Sequence, residues 1–237
     1  MRVEAPSSAA DFDLLPMWYG LAGVDSGDDV GAAGDVANFR QAWEGGYLGA
    51  ASGKGFKQNL AALTSLDQEQ WRYARTAVRL LTYSGEQIGI LSMGYHHQLW
   101  NFVGELTAAH PNPETGRGRF LATILTWAKI HVVAVHPDHR GRGHGARLLR
   151  QAKAIATTDG LKAIYGQFAA DRPWLADFYT AGGFTVLDAG SPLPIGTATD
   201  RPGDKLGTLP TERLFVWEGK GPRRPDRDRR NGQRPPT

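Results

Sequence analysis

The sequence predicts a mixed α/β fold built around one sheet. Three observations carry this prediction: strand-like and helix-like segments alternate, a nearly continuous apolar strand lies near the middle of the chain, and an amphipathic helix follows it. The chain of 237 residues, 41% hydrophobic and 22% charged, has the composition of one globular domain with a sizeable core. Two full-sized domains are not expected.

The first half of the chain predicts a strand followed by helices. Asp11–Tyr19 has the character of a first strand, and residues 25–34 form a loop rich in glycine and aspartate. Asp35 is a candidate cap for a helix that ends near a glycine pair, because apolar residues recur there at helical spacing. A second helical stretch covers part of Phe56–Thr76, with a break near Asp67.

The period then changes from helix to strand. Ala77–Tyr83 and Gln87–Tyr95 are two strand-like runs joined by Ser84-Gly85-Glu86, a pattern that predicts a β-hairpin. The next segment, His96–Gly118, is interpreted as a long connection, and a loop of this length in a compact domain often shapes a functional site.

Trp127–Val135 is the strongest strand signal in the chain and predicts a central strand covered on both faces. Strict alternation would place one set of side chains on each face: Lys129, His131, Val133 and Val135 on the first, and Ile130, Val132 and Ala134 on the second. Gly143–Thr158 follows as an amphipathic helix that stops at Asp159-Gly160.

The last part of the body repeats the alternation of strand and helix. Leu161–Phe168 is a strand, and a short helix opens at Pro173 with Trp174, Leu175 and Phe178 expected to face the core. A glycine pair ends that helix, and Phe184–Leu187 and Arg213–Trp217 predict the final strands.

Composition excludes several classes of function. The absence of cysteine excludes disulfides, thiol nucleophiles and cysteine-ligated metals. The N-terminal segment has no apolar core of the roughly 7–15 residues that a signal peptide needs, and no apolar run approaches the about 18 residues of a membrane span. We therefore expect a cytoplasmic protein that does not engage a membrane.

The charge is uneven along the chain. Residues 219–237 contain seven basic side chains, two acidic ones and four prolines, and no aliphatic or aromatic residue. Such a segment cannot offset its ordering entropy by burial, so it predicts a disordered basic tail behind a folded domain of residues 1–218. Nucleic acid is an unlikely partner except through weak contact with this tail.

The junction between the central strand and its helix carries the chemistry. Val135-His136-Pro137-Asp138-His139-Arg140-Gly141-Arg142-Gly143-His144-Gly145 places glycines where a helix begins, an arrangement that favours a phosphate-bearing ligand. A nucleoside-triphosphate loop would need lysine and a hydroxyl residue after its last glycine, and this chain has Ala146-Arg147. A dinucleotide fingerprint, Gly141-x-Gly143-x-x-Ala146, lacks the expected carboxylate at a following strand end.

A third interpretation fits better. Arg140-Gly141-Arg142-Gly143-His144-Gly145 resembles the Arg/Gln-x-x-Gly-x-Gly/Ala signature of the GCN5-related N-acetyltransferases (the GNAT family), and Val135-His136-Pro137 resembles the Val-x-Pro that precedes it. The resemblance covers Ala77–Leu187 well. It implies a single domain with a mostly antiparallel mixed sheet flanked by helices, acetyl-CoA as co-substrate and no metal. It also implies a set of cofactor-binding residues: Val133, Ala134, Val135, Arg140, Gly141, Arg142, Gly143, His144, Gly145 and Ala146.

The same resemblance implies catalytic residues. The strand containing His131 is similar to the serotonin N-acetyltransferase branch, where the matching histidine helps to remove the amine proton. Lys129 departs from that branch, which often has a second histidine there. Tyr179, after Phe178, matches the family's general acid. From the residues alone, His131 and Tyr179 could equally be core residues, and His97 and Glu105 are alternative bases.

A metal site is not expected, because the remaining histidines do not form an i,i+4 pair accompanied by glutamate; they are His96, His97, His136, His139 and His144. Four tryptophans either line an acceptor pocket or pack in the core: Trp18, Trp43, Trp71 and Trp100.

The resulting hypothesis is an N-acetyltransferase that moves acetyl from acetyl-CoA directly to a primary amine, in a ternary complex with general acid and base catalysis. A small-molecule acceptor is favoured over a protein. The alternative is a catalytically silent acyl-CoA-binding module whose basic tail contacts nucleic acid or a protein partner. Both hypotheses leave the oligomeric state open, a homodimer included.

Overall fold

The structure of the protein is a computed structural model that describes residues 1–23 and 31–221, with residues 31–33 described by their backbone alone. Most of the loop predicted at 25–34, and the predicted tail from residue 222 onward, lie outside the described residues. Among the described residues, no helix combines the length and apolar character needed to cross a membrane.

The described residues form a seven-stranded mixed sheet and a separate two-stranded ribbon. The strands are β1 (Arg2–Glu4), β2 (Ala77–Tyr83), β3 (Glu86–Gly94), β4 (Trp127–Val135), β5 (Ala163–Ala169), β6 (Thr185–Val186), β7 (Leu193–Pro194), β8 (Lys205–Leu206) and β9 (Glu212–Glu218). The main sheet has the order β1-β2-β3-β4-β5-β9-β6, and β7 pairs with β8. Every pairing is antiparallel except that of β4 with β5, which confirms the predicted mixed, mostly antiparallel sheet.

Helices cover both faces of this sheet. They are α1 (Leu15–Ala22), α2 (Gly31–Glu44), α3 (Phe56–Thr64), α4 (Trp71–Ala74), α5 (His97–Ala108), α6 (Pro113–Thr126), α7 (His144–Asp159), α8 (Pro173–Ala181) and α9 (Gly196–Thr199). Helix α7 packs over one face with the apolar residues of β3, β4 and β5, while α1 and α2 pack over the other face. The burial of apolar side chains on both faces explains the nearly continuous apolar character of β4.

The prediction of a strand at Asp11–Tyr19 is wrong. The segment forms a 3-10 turn at Ala9–Phe12 and then α1, because Leu15, Trp18 and Tyr19 lie on one helical face and are buried. The edge strand is instead β1, which pairs with β2. Helix α2 also begins before Asp35, at Gly31.

The prediction of a long loop at His96–Gly118 is also wrong. Helices α5 and α6 fill this region, and Leu99 and Val103 bury one face of α5. The Asn112 side chain accepts a hydrogen bond from the Thr115 backbone N–H at 3.0 Å, so the proline-rich stretch caps a helix instead of continuing a loop.

A bulge in β4 changes which side chains share a face. Ser92 of β3 lies opposite Val132, whereas Met93 lies opposite Ile130, so His131 is an extra residue without its own partner on β3. The predicted two-face alternation over the whole strand is therefore wrong.

The side chains on either side of the bulge follow from that extra residue. Ile130 packs in the core under α7 together with Val133 and Val135, which come after the bulge. Val132 and Ala134 pack in the opposite core with α1. The bulge thus reverses the assignment of odd and even residues along the strand.

Trp174 corrects a further prediction, since it is 62% exposed and does not face the core. The hairpin of β2 and β3 agrees with prediction, as do the positions of α7, β5 and α8. The Ser84-Gly85 turn has both residues at positive φ, which matches the twist of a two-residue hairpin.

Candidate active site

A cavity opens where β4 and β5 diverge. The two parallel strands pair only through Trp127, Ala128 and Lys129 of β4, so the later half of β4 has no β5 partner. The cavity has a volume of about 600 Å³ and extends from this gap to the beginning of α7. A volume of this size is ordinary for a site that binds a small molecule or cofactor.

The edge of β4 that borders the gap offers backbone hydrogen-bonding groups. The His136 N–H donates to the Ile88 carbonyl of β3 at 2.9 Å, and successive peptide groups of a strand point to opposite sides. Val133 and Val135 therefore direct their N–H and C=O groups toward the gap. An extended chain with amide groups could pair with this edge as an added strand would.

The loop after β4 is shaped by two glycines. Gly141 and Gly143 have φ values of 75° and 76°, a left-handed conformation that is unfavourable for most residues with a Cβ. Gly143 caps α7, so the first backbone N–H groups of this helix face the cavity mouth. The Arg140 Nε donates to the Val135 carbonyl at 3.0 Å and holds the loop against the strand. This geometry suits an anion.

All the residues predicted to bind the cofactor line this cavity except Arg142. Several lining residues were missed in the sequence: Leu21, Ala22, Gln167, Arg172, Trp174 and Leu175. Of these residues, Trp174 had a signal in the sequence. It is an aromatic residue in the first turn of α8, and it could have been considered as a lining residue of the cofactor site. Leu21 and Ala22 had no such signal because their segment was interpreted as a strand.

His131, the extra residue of the bulge, lines the cavity and is half-buried. Burial first, and then the charge of Lys129, lower its pKa to about 3, although a hydrogen bond to the Tyr95 backbone carbonyl partly offsets these effects. The imidazole is therefore neutral at pH 7. The bulge gives this side chain a position that regular alternation would not provide.

Tyr179 lines the same cavity from α8 and is 7% exposed. Its ring stacks on Phe215 with centroids 3.6 Å apart and lies beside Phe168 at 5.6 Å. Burial raises the pKa of Tyr179 well above its ordinary value, so the phenol stays protonated through the neutral range. One cavity thus brings together the two residues that the sequence singled out for proton transfer.

A second histidine, His96, lies close enough to His131 for their charges to interact, and it was not predicted as part of the site. His96 is 5% exposed, its Nδ1 lies 2.6 Å from the Tyr165 hydroxyl, and its Nε2 lies 3.3 Å from the Lys129 Nζ. Burial and the charge of Lys129 lower the pKa of His96 to about 2. Since an ammonium can only donate, Nε2 accepts from Lys129 and Nδ1 donates to Tyr165. No sequence signal connects His96 with Tyr165, 69 residues away.

The alternative bases lie elsewhere. His97 is exposed at the start of α5, and Glu105 lines a different cavity; neither belongs to the lining of the first one. Of the tryptophans, Trp18 is fully buried in the core and Trp100 lines the second cavity. Within residues 1–23 and 31–221, no group of three histidine or carboxylate side chains is placed to hold a metal ion.

Comparison with known proteins agrees with this geometry. Residues 96–186 match the family model of the acetyltransferase (GNAT) domain. A proposed acetyltransferase from Salmonella typhimurium, solved with its cofactor acetyl-CoA, shares 17% identity over 96% of this chain and 98% of that chain, with a TM-score of 0.51. At this identity the likeness shows the fold alone. No curated protein matches the chain in sequence.

Two further solved structures are similar to this chain. A ribosomal-protein-alanine N-acetyltransferase from Brucella melitensis shares 15% identity over 92% of this chain and 99% of that chain, with a TM-score of 0.47. A proposed streptothricin acetyltransferase from Bacillus anthracis, in complex with acetyl-CoA, shares 14% identity over 61% of this chain and 62% of that chain, with a TM-score of 0.38. Residues 96–186 thus match the model of the GNAT acetyltransferase domain, and the fold of the described residues is similar to that of the Salmonella typhimurium protein.

Proposed function

We propose that the protein transfers the acetyl group of acetyl-CoA to a primary amine of a small molecule, within a ternary complex. One observation carries the proposal: a single cavity is lined by the glycine loop, the unpaired edge of β4, His131 and Tyr179. These are the parts that an acetyl transfer to an amine needs, namely a phosphate site, a site for an amide-bearing arm, a base and an acid.

The residues of the cavity fit acetyl-CoA. The N–H groups from residues 140 to 146 suit the pyrophosphate, because they combine positive φ glycines with the beginning of a 16-residue helix. The N–H and C=O groups of Val133 and the N–H of Val135 suit the amides of the pantetheine arm, whereas the Val135 carbonyl already accepts from Arg140. When bound, acetyl-CoA supplies an acyl group that is activated as a thioester, and an N–H of the β4 edge can donate to its carbonyl oxygen.

His131 is the base of the proposed mechanism. An ammonium acceptor must lose a proton before its nitrogen can attack, and a neutral imidazole can accept that proton directly or through one water. The pKa of about 3 keeps His131 neutral across the physiological range. Because an alkylammonium holds its proton far more tightly than an imidazole with so low a pKa, full transfer to His131 is unfavourable, and we expect His131 to accept a hydrogen bond from the amine or from a bridging water while the proton leaves to solvent.

Tyr179 stabilises the leaving thiolate. An ordinary thiol has a pKa of about 8.5, below that of a phenol, and burial raises the pKa of Tyr179 further. Complete proton transfer to sulfur is therefore unfavourable, and the phenol acts chiefly by donating a hydrogen bond to the developing negative charge. His131 thus acts on the attacking amine, and Tyr179 acts on the leaving sulfur.

The first prediction tests this assignment with a panel of primary amines and acetyl-CoA, by measuring release of the free thiol. His131→Ala and Tyr179→Phe should each lower turnover by about 10²-fold, while acetyl-CoA affinity in Tyr179→Phe stays near the wild-type value. His110→Ala, on the loop between α5 and α6, is the control and should retain full turnover.

Two results would contradict the proposal. Full turnover in His131→Ala, together with a loss in His97→Ala, would move the base to the exposed histidine. Retained acetyl-CoA binding without turnover on any amine would favour the catalytically silent module.

A further inference from the structure

A second cavity, of about 820 Å³, lies outside the acetyl-transfer site. It is an open cavity bordered by α2, the segment from Asp67 to Tyr73, Tyr95 just after β3, α5 and α6, and its lining combines carboxylates, amides and aromatic rings. We propose that this cavity binds the acceptor, and that the acceptor is a small amine with at least two amino groups. This inference rests on the proposed function and specifies its substrate class.

The position of the cavity supports the proposal. Tyr95 lines the second cavity, and its backbone carbonyl accepts a hydrogen bond from His131, which lines the first. The two cavities therefore approach each other at one pair of residues. Since the His131 nitrogen that donates to Tyr95 cannot also accept a proton, an amine held in the second cavity would extend one end past Tyr95 to the other imidazole nitrogen.

The charge of the cavity favours a cation. Its lining contains the carboxylates of Asp67, Glu69 and Glu105 and a single guanidinium, that of Arg72. Arg72 stacks over the Tyr73 ring at 4.4 Å and hydrogen-bonds to the Tyr73 hydroxyl, and Asp67 caps the turn at residues 68–70. Glu69 and Glu105 are then the carboxylates best suited to a ligand, and they outnumber the cation.

The aromatic wall favours an organic cation over a metal ion. Trp100 packs edge-on against Tyr95, with centroids 4.6 Å apart, and against Phe120 at 6.1 Å. The tilted pair of Tyr47 and Tyr73, at 6.4 Å, also lines the cavity. Aromatic faces attract ammonium groups and also pack against the methylene segments that separate them.

The chemistry of transfer favours an acceptor with a second amino group, which keeps its positive charge while the first one reacts. The nitrogen that attacks must be neutral at that moment, so it cannot also provide the positive charge that the carboxylates recognise. Glu105 lies eight residues beyond His97 on α5, about 12 Å along the helix axis. This distance starts at the end of α5 that follows Tyr95, so a long acceptor with a second, protonated amino group could meet Glu105 while its other end passes Tyr95 toward His131.

The experiment compares diaminoalkanes of increasing length with monoaminoalkanes of the same chain length. The long diamines should have KM values about tenfold or more below those of the matched monoamines, because a charged hydrogen bond is lost in the monoamine. Glu105→Gln should raise the KM of the long diamines by about tenfold and leave the KM of acetyl-CoA unchanged. Glu114→Gln, an exposed glutamate of α6 outside the cavity, is the matched control and should behave as wild type.

Direct binding separates this inference from the proposed function. Calorimetric titration of a long diamine into the wild type and into Glu105→Gln measures the site without any turnover. If Glu105→Gln weakens diamine binding, the assignment of this cavity as a diamine site is supported even when no acetylation occurs. In that case only the proposed acetyl transfer would be refuted. Equal KM values for diamines and monoamines, or diamine binding that Glu105→Gln does not change, would overturn the inference while acetyl transfer could stand.

Discussion

At the scale of single residues, the ammonium of Lys129 lowers the pKa of two imidazoles. Lys129 lies 3.3 Å from the Nε2 of His96, and its charge lowers the pKa of both His96 and His131 after the larger effect of burial. A protonated His131 cannot accept a proton, so its pKa sets the pH below which the proposed base stops working. Lys129 thereby widens the pH range of His131 toward acid.

A prediction follows for Lys129→Met. Removing the positive charge should raise the pKa of His131 and His96 toward the ordinary value of 6.5, since a neutral side chain no longer penalises the imidazolium. The acidic limb of the pH–rate profile should move to higher pH, and proton NMR titration of the histidine rings should report the same direction. Lys129→Arg keeps the charge and is the control. Unchanged histidine titration in Lys129→Met would refute the electrostatic coupling.

At the scale of elements, the unit of β4, the glycine loop and α7 carries both the proposed base and the proposed phosphate site. The bulge at His131 redirects the strand, and the glycine loop ends the turn with a helix whose N–H groups face the cavity. Position 143 needs glycine for its positive φ and not for lack of space, because a Cβ there would meet nothing within 4 Å. An alanine would thus fit sterically and still be strained.

Gly143→Ala tests that distinction against a matched glycine. It should cost about 1–2 kcal/mol of folding free energy and weaken acetyl-CoA binding, since the left-handed conformation is unfavourable for a residue with a Cβ. Gly118→Ala makes the same chemical change inside α6, also in open space but without a positive φ, and should stabilise the protein by about 1 kcal/mol. Urea unfolding and calorimetric titration of acetyl-CoA measure both effects. Equal stability of the two variants would contradict the assignment.

At the scale of the whole molecule, a buried ion pair ties distant segments together. Arg75 and Asp159 are almost fully buried, with 3.6 Å between the Nη1 and Oδ2 atoms. Arg75 also donates to the carbonyls of Ala51 and Ile124, at 2.6 and 2.9 Å. Asp159, the last residue of α7, accepts from the backbone N–H groups of residues 53 and 55. The pair thus links the end of α7 to the segments before β2 and before β4.

Asp159→Asn should destabilise the protein by about 3–5 kcal/mol, because it leaves the buried guanidinium without a compensating charge. Asp200→Asn breaks the exposed pair with Arg119, which is 3.3 Å long, and should cost less than about 1 kcal/mol. Chemical denaturation compares the two variants, and Asn at position 200 tolerates the positive φ found there. A loss below 1 kcal/mol for Asp159→Asn would show that the buried pair contributes little.

Local chemistry determined much of the fold. The hairpin follows from the turn at Ser84-Gly85, and the unit of β4, glycine loop and α7 follows from an apolar run, a glycine spacing and an amphipathic stripe within about 30 residues. Each of these signals lies within the element that it predicts. The residues of the glycine loop could therefore be selected from the sequence, whereas His131 and Tyr179 became candidates only through the resemblance to the GNAT family.

Pairing between distant segments decided the rest. The register between β3 and β4 creates the bulge that turns His131 out of the regular alternation, and a strand cannot encode its partner's register alone. Helices α5 and α6 border the cavity beside Tyr95, and His96, which contacts Tyr165, lies just before α5. The sequence does not signal these helices, because the glycines and prolines around residues 110–118 suppress the helical pattern. The sequence by itself determined which residues could bind phosphate and move a proton. Only the tertiary structure decided which of them share a cavity, because that depends on contacts across many residues and not on local propensity.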